Sequence, residues 1–241
     1  MGQFIQFPDS LLDCVLQSGQ LLKVSEQTIA YIFKIEQVCK LIRSYQLVAP
    51  AYLKDALPSR LEEFFSGRVV AEAILRHHFA SKAMISSKSQ HLPQWPHTYL
   101  GSISHNQQQL LVMVSAEYSY VGVDLKEHIS QQTAEQIADL ILTRKEQQYW
   151  LQEAKQYISY TQYVSLLFSM KESLYKAVYP IAMNYIDFLE VEMIEVNMNQ
   201  RRAHFQFCTN IQKKYALSSD YLVQWLDLND WGFTFVLQGK K

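Results

Sequence analysis

Tyr120-Val121-Gly122-Val123-Asp124-Leu125-Lys126 has the two-residue period of a strand, with Val121, Val123 and Leu125 apolar and the alternation ending around Asp124. A carboxylate at a strand end beside a glycine is a common way to present an acid in a cleft; it is equally an ordinary turn aspartate. Residues 124 and 126 project to the same side of a strand, so Lys126 is expected to face whatever Asp124 faces. Farther on, Phe168-Ser-Met-Lys-Glu-Ser-Leu-Tyr-Lys-Ala177 has a helical period. Leu167, Met170, Leu174, Ala177 and Val178 form its apolar stripe, with Glu172 and Lys176 one turn apart on the opposite side. Two readings stand. Glu172 and Lys176 form a solvated ion pair worth about 0.3–0.5 kcal/mol, or Glu172 and Asp124 share a Mg²⁺ while Lys171 and Lys176 meet phosphate oxygens. Neither motif alone chooses between them.

Outward from this pair of motifs, helices and strands mix. The spacing predicts a helix over 59–79, opened by Ser59 and Glu62 as a capping box. A second is predicted over 133–152, and a third over 162–178 that stops before Pro180. Strands are predicted at 101–104, 110–115 and 121–125, and in the tail at 188–196, 203–208, 221–226 and 232–237. The chain reads as α/β or α+β, and two halves of similar size meet near residue 120. Residues 1–57 carry short apolar runs and no motif. Gly67 interrupts a helical pattern, and Arg60, Gly67 and Ala71 share a face with Arg68 beside it. That notch either makes room for a phosphate gripped by two guanidiniums or lets the helix pack closely, with the arginines solvated or paired to Glu62 and Glu63.

Composition narrows the function. The chain has 241 residues, 49% of them hydrophobic, with 22 Lys+Arg against 23 Asp+Glu and a formal charge of −1. That balance disfavours a nucleic-acid partner and leaves room for a local basic pocket. The three cysteines, Cys14, Cys39 and Cys208, lie far apart, which argues against a disulfide framework or a cysteine-rich zinc site. His77 and His78 are adjacent and diverge on a helix, so they do not converge on a metal. No apolar run approaches the roughly 20 residues a bilayer requires. No signal-peptide charge precedes Lys23, and Gln6 stands where N-myristoylation needs Ser or Thr. A cytoplasmic location is expected. No Ser-His-acid or Cys-His spacing supports an acyltransferase. Trp95 either stacks on a base or packs on the body of the protein. Arg201-Arg202 and Lys213-Lys214 either meet an acidic partner or are solvated turn charges.

Taken in order, Arg60-x-x-Glu63-Phe64-x-x-Gly67-Arg68, Trp95-Pro96, Gly101-Ser-Ile-Ser-His105, Val121-Gly-Val-Asp124 and Phe168-Ser-x-Lys171-Glu172-Ser-x-Tyr-Lys176-Ala177 resemble the 4′-phosphopantetheinyl transferase family, in its enterobactin synthetase component D branch. The resemblance runs from about Arg60 to Ala177. It implies an α+β fold of two similar halves, 1–120 and 121–241, related by a pseudo-twofold, with coenzyme A between them. It implies transfer of the phosphopantetheine arm to a serine of an acyl, peptidyl or aryl carrier protein. By the same resemblance Asp124 and Glu172 match the metal-binding acids, for Mg²⁺ or Mn²⁺, and Glu172 or a water it positions matches the base. Lys176 matches the lysine on the pyrophosphate and Lys171 a phosphate contact. Ser104 and His105 match a pair beside the cofactor phosphates, and Arg60 and Arg68 the grip on the 3′-phosphate. The resemblance also implies that a monomer holds a complete site. One position departs: many relatives carry a third metal acid where Lys126 stands. Lys126 is expected to pair with a cofactor phosphate or with Asp124, or else to mark a decayed site in a binding module without activity.

Overall fold

A computed structural model of the protein describes residues 5–87, 92–228 and 231–240. The chain folds as two compact units, Met1–Ser119 with Lys240–Lys241, and Tyr120–Gly239.

The first unit runs α1 (Asp9–Val15), β1 (Gln20–Ser25), β2 (Thr28–Lys34), α2 (Ile35–Arg43), α3 (Pro58–Phe79), a short ribbon of β3 (Ser86–Ser87) and β4 (Pro93–Gln94), then β5 (Leu100–His105) and β6 (Gln109–Ser115). Strands β1-β2-β6-β5 form one antiparallel sheet, with Ile29 opposite Val114 and Gly101 opposite Val114 on its other side. Helix α3 is buried from Phe64 to Leu75, nearly all round, as expected of a central helix. Its start differs from the capping-box reading. Leu57 is the N-cap, without a side-chain cap bond, and Pro58 occupies the first turn. Proline suits that position because its missing N–H is not needed there. Glu62, expected to close the box, instead accepts two bonds from Arg43, at 2.6 and 2.7 Å.

The second unit is built on β7 (Tyr118–Lys126), which begins two residues before the boundary. After it come α4 (Gln131–Ile141), α5 (Arg144–Gln152), α6 (Tyr160–Ala182), β8 (Val191–Asn197), β9 (Arg202–Phe207), α7 (Thr209–Tyr215), β10 (Tyr221–Leu228) and β11 (Trp231–Lys240). The sheet order is β7-β11-β10-β9-β8. The predicted apolar stripe of α6 is buried throughout and joins Val223, Trp225 and Val236 of the sheet in one core.

Two helix boundaries differ from the sequence reading. The helix expected over 133–152 is two helices, because Thr143 caps α5 in a reciprocal box with Glu146. Helix α6 does not stop before Pro180; the proline lies in its last turn, and the helix ends with Met183 in the left-handed region. Strand β8 starts at Val191, because Phe188–Glu190 form a 3₁₀ turn capped by Asp187. Among the described residues no helix is long and apolar enough to cross a membrane. The three cysteines are free.

Candidate functional site

The centre of the second unit is the contact of β7 with α6. Gly122 makes it close: a Cβ there would lie 1.9 Å from the Ser173 carbonyl oxygen and 2.9 Å from Ala177. Two residues on, Asp124 faces the same helix and is 8% exposed. Lys176 donates to its Oδ1 at 2.7 Å. Behind the strand, the Ser169 hydroxyl reaches the Asp124 carbonyl at 3.4 Å, and Thr234 donates to the Ser169 carbonyl at 2.7 Å. Glu172 lies one turn before Lys176 and is half-buried rather than solvated. Burial pushes its carboxyl above the usual carboxylate range; Lys176 pulls it back, and the negative charge of Asp124 pushes it up again. The two acids and Lys176 therefore share one electrostatic environment. Beside Glu172 a crevice of about 30 Å³, lined also by Tyr175, Tyr185, Ile186 and Phe188, has room for a water.

Lys126 does not join this group. Its ammonium pairs with Asp227 on β10. The pair passes over Gly232 of β11, where a Cβ would lie 3.1 Å from Asp227 Oδ1 and 3.3 Å from Lys126 Cε. Asp227 had no signal in the sequence: it lies one residue past the strand predicted at 221–226, which the structure extends to Leu228.

Lys171 is also displaced from its expected role. Its side chain is 0% exposed, and its ammonium donates to Glu146 at 2.7 Å, to the Ile141 carbonyl at 2.7 Å and to the Phe188 carbonyl at 3.0 Å. Three donors meet three acceptors, so no N–H remains for a phosphate. Lys171 ties the carbonyl end of α4 to the start of α5 and to the turn before β8. Glu146, the acid it meets, also accepts from the backbone of Thr143 and Met193, each at 2.8 Å. The T-x-x-E spacing of Thr143 and Glu146 was the signal that locates this acid.

The first unit holds the remaining candidates. The Gly67 notch is filled: a Cβ there would lie 3.0 Å from Ile103 Cγ2, so the glycine serves the packing of α3 on β5. Arg60 pairs with Glu63 Oε2 at 3.2 Å, and His105 Nε2 lies 3.9 Å from the same oxygen. Glu63 thus brings Arg60 and His105 together at one end of α3. Ser104, next to His105 on β5, is buried. Arg68 is buried as well, its guanidinium 4.9 Å from the Phe64 ring centroid. Burial pushes it down to about 10; the charges of Tyr52 and Glu72 raise it, and that of Arg60 lowers it further. The two arginines are close enough to repel. Trp95 packs: its ring lies where a Cβ on Gly101 would be, 2.5 Å from Cη2, and it borders the core.

Comparison with known proteins follows the same division. Residues 49–115 match the 4′-phosphopantetheinyl transferase N-terminal domain, and residues 120–235 match the 4′-phosphopantetheinyl transferase superfamily. Enterobactin synthase component D of Salmonella austin is 36% identical over 125 residues, 52% of this chain and 50% of that protein. The protein of that name from Escherichia coli O157:H7 is 32% identical over 154 residues, 64% of this chain and 71% of that protein. A 4′-phosphopantetheinyl transferase Svp of Streptomyces mobaraensis is 28% identical over 145 residues, 59% of this chain and 58% of that protein. The chain thus spans about half the length of its Salmonella relative. With one family matched across both units, and the Escherichia coli relative covered over more than two thirds of its length, the chain belongs to the 4′-phosphopantetheinyl transferase superfamily.

Proposed function

We propose that the chain transfers the 4′-phosphopantetheine arm of coenzyme A to a serine of an apo acyl, peptidyl or aryl carrier protein and releases adenosine 3′,5′-bisphosphate. The names of its relatives point to siderophore synthesis of the enterobactin kind. The observation that carries the reading is the convergence of Asp124, Glu172 and Lys176 between β7 and α6 in a chain of this superfamily.

The charge of Asp124 raises the proton affinity of Glu172, and a divalent cation between the two acids would oppose that repulsion. Among the described residues no three His, Cys, Asp or Glu side chains cluster. Two carboxylates nevertheless suit Mg²⁺, whose shell is commonly completed by water and substrate phosphate; oxygen donors accept Mn²⁺ as well. Asp124 and Glu172 would hold that ion. When bound, it would neutralise charge on the pyrophosphate.

The chain's own groups do the rest. The serine oxygen attacks the phosphorus that bears the pantetheine arm, and the bond from that phosphorus to the bridging oxygen breaks. The serine proton passes to Glu172, directly or through a water in the adjoining crevice. Burial favours that transfer, because it makes the carboxylate a stronger proton acceptor. Lys176, which lies against Asp124, would stabilise charge on the departing phosphate. In the first unit, Arg60 and Arg68 would grip the 3′-phosphate, a role supported by the mutual influence of their charges on one helix. Ser104 and His105, on β5, would lie beside the cofactor phosphates.

Chromatographic quantitation tests this reading. An apo carrier protein incubated with coenzyme A and Mg²⁺ is expected to yield one adenosine 3′,5′-bisphosphate per carrier modified. Protein that binds coenzyme A and carrier yet releases no nucleotide would instead be a binding module.

A further inference from the structure

Lys126 and Asp124 are alternate residues of β7, about 7 Å apart along one face. A lysine side chain spans that distance, so Asp124 is a natural partner for the Lys126 ammonium. It takes a different one, Asp227 on β10. Lys126 and Asp227 line a cavity of about 310 Å³ with His128, Gln162 and Leu166, and Asp124 is outside that lining. An ion pair holds the lysine there. The hold is also built into the sheet, because Asp227 pairs in register with Gly232, over which the two side chains meet, each within 3.3 Å of where a Cβ would stand.

We infer that Asp227 is a positioning residue that keeps the Lys126 ammonium off Asp124, so that no second lysine joins Lys176 in competing with a divalent cation for the Asp124 carboxylate. The inference rests on the proposed metal role of Asp124 and Glu172. A second cation beside Asp124, added to Lys176, would compete with a divalent ion for the same oxygens. Lys126 at this position then does not signal decay. Its charge is absorbed by Asp227, and the two-carboxylate centre works without it.

The test is a Mn²⁺ titration of the full chain by electron paramagnetic resonance, with no substrate present. The proteins compared are wild type, Asp227→Asn, Lys126→Met and the double variant. Asp227→Asn is expected to bind Mn²⁺ about tenfold more weakly, and the double variant to return to within about twofold of wild type. That rescue separates positioning from general damage to the fold. Lys126→Met alone is expected to bind as wild type does, and it carries the test if Asp227→Asn does not fold. Unchanged binding by Asp227→Asn, an unrescued double variant, or tenfold tighter binding by Lys126→Met would each overturn the inference. If neither wild type nor Lys126→Met binds Mn²⁺, the metal reading itself falls, and the role of Asp227 with it.

Discussion

Gly122 and the two lysines of α6 show how much single residues decide in this chain. At Gly122 the Ser173 carbonyl leaves no space for a methyl group. Gly122→Ala is expected to cost about 3 kcal/mol, read as a lower urea midpoint at unchanged slope. Lys171 and Lys176 stand five residues apart, and the family motif treats both as cofactor contacts, yet their surroundings separate them. Lys171→Met strands Glu146 as a buried, uncompensated charge and is expected to lose about 3–5 kcal/mol of stability. Lys176→Met is expected to keep its thermal midpoint within a few degrees and lose transfer. Equal stability losses in the two variants would contradict this division of labour. Asp124, Glu172 and Lys176 could be picked out as candidates only through the order of motifs along the chain, since each motif alone also reads as ordinary surface charge; the structure brings the three side chains together. The burial of Lys171 was not, because its acceptors lie 25 and 30 residues upstream and 17 downstream. Asp227 was hidden for the same reason, at a separation of 101 residues from Lys126.

At the scale of elements, α3 combines a central position with buried charge. Glu72 accepts from the Ile85 backbone at 2.8 Å and is pushed up to about 7, mainly by burial. A carboxyl whose folded pKa exceeds its unfolded one contributes stability that is full below about 4.5 and lost as pH rises through about 7. Glu72→Gln keeps the acceptor oxygen and removes the titration. It is expected to match wild type near pH 4.5 and to be more stable by about 1–3 kcal/mol at pH 8. Loss of stability at pH 8 would mean that Arg68 depends on the ionised acid.

Strand periodicity located β5, β6 and β7 to within a few residues. Helix ends were harder to read. The Thr143 box that splits 133–152 resembles any T-x-x-E, and Pro180 was read as a stop, whereas the helix runs two residues past it to Ala182. The helices and strands of residues 1–57 escaped detection because their runs are short. They are held by long-range pairing, β2 with β6 across some 80 residues, which no local pattern announces.

Across the whole molecule, each unit carries its own core and its own group of charged candidate residues: Arg60 and Arg68 in the first, Asp124, Glu172 and Lys176 in the second. The transferase proposal gives a role to candidate residues in both units, where a reading of either motif alone accounts for one. The most direct test is intact-mass spectrometry of an apo carrier protein incubated with coenzyme A and either this protein or its Glu172→Gln variant, in Mg²⁺ or in EDTA. One phosphopantetheine arm gained with wild type in Mg²⁺, and none with EDTA or with the folded variant, is the predicted result. An equal gain in EDTA, or from Glu172→Gln, would contradict the account.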